Sequence, residues 1–238
     1  MKRIIWMLIV NIVHVPRVLY QLLTRAAHPE RYTEEERYAV IHEIAERGIK
    51  GGRVDVVSSG VENLPKEGGY ILYPNHQGLF DVMVVICLHQ KPVSAVLKKE
   101  LVNIPLLKQI IICLDALALD RSDARQGLKV VLQVAEDVKK GKKYIVFAEG
   151  TRSRNGNHLL DFKGGSFKSA TKAQCPIVPV ALIDSYKAFD TGSIERVTVQ
   201  AHFLDPIPYK EYKDMKTPQI AEMVKSRIEA KIAECGGV

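Results

Sequence analysis

The chain has 238 residues, 47% apolar and 26% charged, which suits one domain of moderate size and excludes a disordered chain. No repeat at solenoid periods runs through it, which excludes a repeat architecture. The net charge of +7 and a pI near 9.1 favour anionic partners without choosing among phosphate-bearing substrates, acidic lipid and nucleic acid.

Met1-Lys2-Arg3 opens the chain, and an apolar run follows from Ile4 to Val15. It is about a dozen residues long before Pro16-Arg17, whereas a spanning helix needs ~20. No small-x-small cleavage site follows, because Arg25 stands where a small residue is required. A second apolar turn, Val18-Leu19-Tyr20-Gln21-Leu22-Leu23, comes after the break. The pattern predicts two short helices lying in one leaflet, with Lys2, Arg3, Arg17 and Trp6 near the headgroups. The alternative is a helix packed on the protein's own core. Residues 24–32 form a polar joint. The expected division is therefore 1–32 for interfacial helices and joint, and 33–238 for the main domain.

Thr33 to Glu36 reads as a capping box opening a helix, with Tyr38, Ile41, Ile44 and Ala45 on its apolar face and Gly48 at its end. Val54, Val56 and Val57 suggest a strand. Gly68-Gly69 precedes another, Tyr70 to Tyr73, which runs into Pro74. Residues 79–88 are expected to be helical, and 110–119 to contain a strand ending at Asp120-Arg121. A helix from near Ser122 buries Leu128, Val131, Val134, Ala135 and Val138 and stops at Lys139-Lys140-Gly141. Tyr144 to Phe147 reads as a buried strand, 165–173 as a helix, and Pro176 to Ile183 and Val197 to Phe203 as strands. The last helix begins at Thr217-Pro218, with Ile220, Met223, Val224, Ile228 and Ile232 inward. Strand, helix, strand with such a crossover implies a right-handed unit and a parallel pair. The expected class is α/β: a mixed, partly parallel sheet flanked by helices, with the two-helix segment at the N-terminus.

Three polar clusters each follow an apolar strand: Asn75-His76-Gln77-Gly78-Leu79-Phe80-Asp81, Asp120-Arg121, and Glu149-Gly150-Thr151-Arg152-Ser153-Arg154. Ligands of open α/β sheets bind beyond the carboxyl ends of the strands, so parallel strands would gather these clusters into one site. His76 and Asp81 would lie about 140° apart on a regular helix. They meet if His76 lies in a turn and Asp81 in the helix after it, and Pro74, Asn75 and Gly78 suit that turn. Asp81 then accepts from Nδ1–H of His76 and leaves Nε2 to take a proton. Arg152 is suited to clamp a phosphate, Gly150 to admit close approach, and Thr151 to donate a hydrogen bond. Lys98, Lys99 and Lys163 add positive charge.

Together Asn75-His76-x4-Asp81 and Glu149-Gly150-Thr151-Arg152, roughly seventy residues apart, resemble the glycerophospholipid acyltransferase family, and within it the 1-acylglycerol-3-phosphate acyltransferases. The likeness covers roughly residues 50 to 205. Lys98-Lys99-Glu100-Leu101 with Pro105, and Cys175-Pro176-Ile177-Val178-Pro179-Val180, match two weaker blocks. One block departs: Asp115 and Ala118 stand where the family usually has Gly and an aromatic residue, and only Arg121 matches. The resemblance implies His76 as general base, Asp81 as its orienter, and Arg152 on the acceptor phosphate with help from Lys98, Lys99 or Arg121. It implies that Glu149 and Gly150 shape the pocket. It also implies lysophosphatidic acid as acceptor, acyl-CoA or acyl carrier protein as donor carrier, and a membrane lipid surface on the cytoplasmic face as the place of action. Acylation of another lysophospholipid or of glycerol phosphate, or lipid binding without catalysis, are the alternatives.

The sequence has no G-x-S-x-G elbow, no Walker A loop and no dinucleotide G-x-G-x-x-G. No cluster has metal spacing, and Cys87, Cys113, Cys175 and Cys235 read as reduced thiols. No cofactor and no metal are expected, since a thioester is already activated. Basic residues are spread among acids without a nucleic-acid motif, so nucleic acid is not an expected partner.

Overall fold

The computed structural model describes residues 2–236. The chain begins with helices α1 (Lys2–Val10) and α2 (Val15–Ala27), which meet at a bend of 103°. No single helix among the described residues is long and apolar enough to cross a membrane. Helix α3 (Glu34–Gly51) starts at the expected capping box: Thr33 Oγ1 accepts from Glu36 N–H and the Glu36 carboxylate from Thr33 N–H. It runs past Gly48 to Gly51. Strands β1 (Val54–Ser59) and β2 (Tyr70–Pro74) follow, then α4 (Phe80–Leu88) and β3 (Ser94–Lys98). Beyond them come α5 (Leu107–Cys113), β4 (Leu117–Leu119), α6 (Ala124–Lys139) and β5 (Lys143–Ile145). The chain ends with α7 (Lys168–Ala173), β6 (Ile177–Ile183), α8 (Tyr186–Phe189), β7 (Val197–Phe203), α9 (Tyr209–Tyr212) and α10 (Thr217–Glu234).

The seven strands form one sheet in the order β1-β7-β6-β2-β5-β3-β4. Pairing is parallel except between β6 and β7. Five strands therefore run one way, and β7 and β1 run the other, which is the mixed, partly parallel α/β sheet expected. The pleat sorts the central strands onto two cores. Leu72, Ile145, Val178 and Leu182 face the layer of α3 and α4, while Ile71, Tyr73, Tyr144 and Ile183 face α6, α7 and α10. Because β2 to β6 are parallel, the chain leaves all five at one edge of the sheet. The turns after β2, β3, β4, β5 and β6 converge there.

Several local expectations change. Of residues 110–119, the first four belong to α5 and only Leu117–Leu119 make a strand. A short apolar run fits either state by periodicity, and packing of α5 beside α2 decides it. Asp115 turns the chain between them at φ +49°, in the left-handed region that Asp tolerates better than most residues. Its carboxylate takes Arg37 Nη1 at 2.5 Å and Lys142 Nζ at 3.0 Å. Although burial pushes this carboxyl up, those bonds hold it below its usual range. An Asp thus occupies a place where Gly would be the default. On α6 the inward face is Val130, Val134, Ala135 and Val138, and Leu128 is exposed. Strand β3 has no counterpart in the sequence reading.

Arg3 departs most from expectation. It is 1% exposed, not at a headgroup. Its guanidinium donates to Gly52 O at 2.5 Å, Ala188 O at 2.7 Å and Glu195 O at 2.7 Å. Burial, with Arg53 nearby, holds it below the ordinary guanidinium range. Met7 is buried beside it, and Val18, Leu22 and Ala26 of α2 join the α3–α4 core. Helix α1 is therefore inverted: a cation faces inward, while Ile5, Leu8, Ile9 and Val10 are at least half exposed. Ile12, Val13 and Tyr20 extend this outward apolar surface.

Candidate active site

Strand β2 is buried along its whole length and delivers Asn75 to the converging edge. Asn75 acts as a clamp between strands: Oδ1 accepts from Leu182 N–H at 2.7 Å and Nδ2 donates to Leu182 O at 2.9 Å. The chain then turns at His76 before entering α4, whose N-cap Leu79 offers no side-chain cap. Asp81, fully buried in the first turn of that helix, folds back instead. Its Oδ2 accepts from Gln77 N–H at 2.6 Å, from Gly78 N–H at 2.9 Å and from Nδ1–H of His76 at 2.7 Å. The turn-then-helix arrangement needed for a His76–Asp81 contact is thus present. With Nδ1 facing a carboxylate, the neutral ring carries its proton there and leaves Nε2 as acceptor. The ring stacks on Phe147 at a centroid distance of 4.0 Å and is 19% exposed.

Glu149 braces the same turn from the segment after β5. Its Oε1 accepts from His76 N–H at 2.6 Å and its Oε2 from Leu160 N–H at 2.9 Å. Burial raises this carboxyl above its ordinary range, and the two N–H groups pull the other way. Ser153 N–H adds a bond to His76 O at 2.9 Å. Gly150 has φ +73°, and a Cβ built there would lie 3.0 Å from Lys163 Nζ. Glycine therefore permits both the turn and the approach of Lys163.

A cavity of about 600 Å³ opens beside His76. Its walls include Val96, Leu101, Ile110, Leu114, Val131 and Phe147, and Lys98, Arg121, Lys163 and Lys168 add positive charge. This is the form expected of a site for a long apolar ligand with an anionic end. A second recess of about 430 Å³ is lined by Gln77, Arg152, Arg154, Gly156, Tyr186 and Asp190. The sequence-selected cations are therefore divided: Lys98, Arg121 and Lys163 line the main cavity, and Arg152 lines the neighbouring recess. Lys98 pairs with Glu100 at 2.9 Å, Lys99 pairs with Asp120 at 2.9 Å, and Thr151 is exposed. Sequence reasoning missed Phe147, Gln77 and Ser185. Gln77 accepts from Ser185 N–H at 2.8 Å and donates to Leu182 O at 2.9 Å, and Ser185 Oγ donates to Asp81 Oδ1. The pairing of β2 with β6 brings Gln77, Asp81 and Ser185 together. No group of three His, Cys, Asp or Glu residues suited to a metal occurs among the described residues.

The 1-acyl-sn-glycerol-3-phosphate acyltransferases of Salmonella typhimurium and of Escherichia coli are each 32% identical to this chain over 168 residues, 70% of this chain and 68% of theirs. The enzyme of the same name from Saccharomyces cerevisiae is 30% identical over 77% of this chain and 61% of its own. The fold matches the crystal structure of the 1-acyl-sn-glycerophosphate acyltransferase of Thermotoga maritima with a TM-score of 0.79, at 24% identity, over 100% of this chain and 97% of that one. The family model described as Acyltransferase matches residues 55–183, a span that covers more than half of the sequence and includes the His76–Asp81 turn, the cavity walls, Glu149 and Arg152. On these grounds the chain belongs to the acyltransferase family.

Proposed function

We propose that this protein transfers a fatty acyl group from an acyl thioester, acyl-CoA or acyl carrier protein, to the sn-2 hydroxyl of 1-acylglycerol-3-phosphate, giving phosphatidic acid for phospholipid synthesis. The observation that carries the reading is the His76–Asp81 pair, 2.7 Å apart, beside an apolar cavity with a cationic lining. The names of the relatives supply the acceptor.

In this scheme Nε2 of His76 takes the proton of the acceptor hydroxyl as its oxygen attacks the thioester carbonyl. The tetrahedral adduct collapses, the carbon–sulfur bond breaks, and the proton passes from His76 to the departing thiolate. Asp81 holds the tautomer and stabilises the imidazolium. The apolar cavity takes an acyl chain, and Arg152, in the neighbouring recess, meets the acceptor phosphate. The thioester is already activated, so no cofactor is required. The outward apolar face of α1 and α2 seats the protein in one leaflet as a monotopic enzyme on the cytoplasmic face, where the lipid acceptor need not leave the bilayer.

The test is incubation of purified protein with acyl-CoA or acyl carrier protein thioesters and a panel of lyso-lipids, with product identified by mass. His76→Ala is expected to lower turnover by ~10²–10⁴-fold. A folded His76→Ala protein with normal turnover would overturn the scheme.

A further inference from the structure

Ser185 has no part in the scheme above, yet it touches the carboxylate at its centre. It lies two residues beyond the end of β6, it is fully buried, and Gln77 Oε1 fixes its backbone N–H. The two oxygens of Asp81 are served unequally. Oδ2 takes the His76 ring and the N–H groups of Gln77 and Gly78. Among the described residues, the donor to Oδ1 is the Ser185 hydroxyl.

We propose that Ser185 is a positioning residue for acyl transfer, its hydroxyl fixing the rotation of the Asp81 carboxylate so that Oδ2 stays aimed at Nδ1 of His76. The proposal rests on His76 acting as base. The terminal torsion of an aspartate is soft, and three donors gathered on one oxygen leave its plane free to tilt. A donor on the other oxygen, from a different segment of chain, fixes the plane. Ser185 does not line the main cavity, its hydroxyl proton is committed to Asp81, and its contact is with the orienter and not with the base. It therefore acts through Asp81 and does not attack the thioester.

Other charged groups surround the pair and belong to separate contacts. Glu149 approaches from the turn after β5, and Lys163 lies beside Gly150. Asp184 pairs with Lys187 on the far side of Ser185, and Asp190 approaches Gly78 from the end of α8. None of them bonds to the Ser185 side chain, so a substitution at Ser185 leaves them in place.

Wild type, His76→Ala, Ser185→Ala and Ser185→Cys are purified as full chains, and kcat and both KM values are measured across pH. His76→Ala examines the underlying scheme by itself: normal turnover there ends that scheme, whatever Ser185 does. With the scheme intact, Ser185→Ala is expected to lower kcat roughly 10- to 100-fold, with both KM values within about twofold of wild type. The acid limb of kcat moves to higher pH. A buried carboxylate deprived of a donor favours the protonated dyad, whichever member takes the proton. Ser185→Cys keeps the packing but offers a weaker donor, so its changes have the same direction and smaller size. Wild-type kcat and limb in either folded variant overturn the proposal, and so does a raised KM with unchanged kcat. A fall in kcat with an unmoved limb in both variants assigns Ser185 to packing alone. If Ser185→Ala does not fold, Ser185→Cys decides on the same readings.

Discussion

Arg152 and Lys98 both stand among the cations selected from the sequence, but they line different recesses. Lys98 is engaged by Glu100. Neither Arg152 nor Arg154 makes an ion pair among the described residues. An unpaired, half-buried guanidinium is poised to bind two oxygens of an anion such as phosphate. Arg152→Ala is therefore expected to raise KM for the phosphate-bearing acceptor roughly tenfold or more, since a charge-assisted bond contributes ~1.5–3 kcal/mol. KM for the acyl donor should stay near its wild-type value. Steady-state kinetics with each substrate varied in turn checks this, and equal rises for both would place Arg152 elsewhere in the reaction. Glu149 has a different part. Each of its oxygens accepts a backbone N–H, so it braces the His76 turn.

At the scale of elements, α1 is the one whose surface is hardest to reconcile with water. Its inward residues are Arg3 and Met7, while Leu8 is 53% and Ile9 58% exposed. Leu8→Asp combined with Ile9→Asp should leave the thermal midpoint nearly unchanged, because neither side chain fills the core. The same pair should sharply weaken flotation with anionic liposomes, as each CH₂ withdrawn from lipid costs ~0.8 kcal/mol. Equal flotation of the variant and wild type would mean that this face does not meet lipid. The sequence displayed some elements well. The capping box announced α3, and the continuous apolar runs announced β2 and β6, which are buried from end to end. The polar clusters after strands located the active edge, because parallel strands must empty onto one side. The reading failed where tertiary contacts decide. β3, Ser94–Lys98, carries too little apolar pattern to stand out. The run before Asp115 became helix α5 against α2. Arg3 looked like a headgroup anchor because nothing local shows the carbonyls of Gly52, Ala188 and Glu195 that enclose it. Ser185 and Gln77 meet through the β2–β6 pairing.

For the molecule as a whole, buried histidine ties stability to pH. His89 is 1% exposed. Its Nδ1 meets Lys91 O at 2.6 Å and its Nε2 meets Tyr70 Oη at 2.6 Å. Burial pushes its pKa down from 6.5 to about 4. The fold thus holds the neutral ring, and the unfolded chain takes up the proton first as pH falls. The stabilisation is complete above pH 6.5 and is lost progressively between about 6.5 and 4, by an order of ~3 kcal/mol at most. His202, also held down mainly by burial, adds a change of the same sign. Thermal midpoints measured from pH 7 to pH 4 should fall across this window, less steeply in His89→Gln. A flat profile in wild type would contradict the assignment.

The carbonyl cage around Arg3 also bears on how the chain is made. Arg3 and Ala188 are bonded across 185 residues. At synthesis rates of ~5–20 residues per second, α1 exists for about 10 to 40 seconds before the Ala188 side of that cage has been translated. Its most apolar residues face outward in the finished fold as well, so no protein surface covers them in that interval or after it. A nascent chain in this condition is exposed to aggregation unless a bilayer shelters it. If the membrane receives α1 first, the rest of the protein completes itself against a helix already lying at the interface, and closing the cage around Arg3 becomes a late event in its assembly.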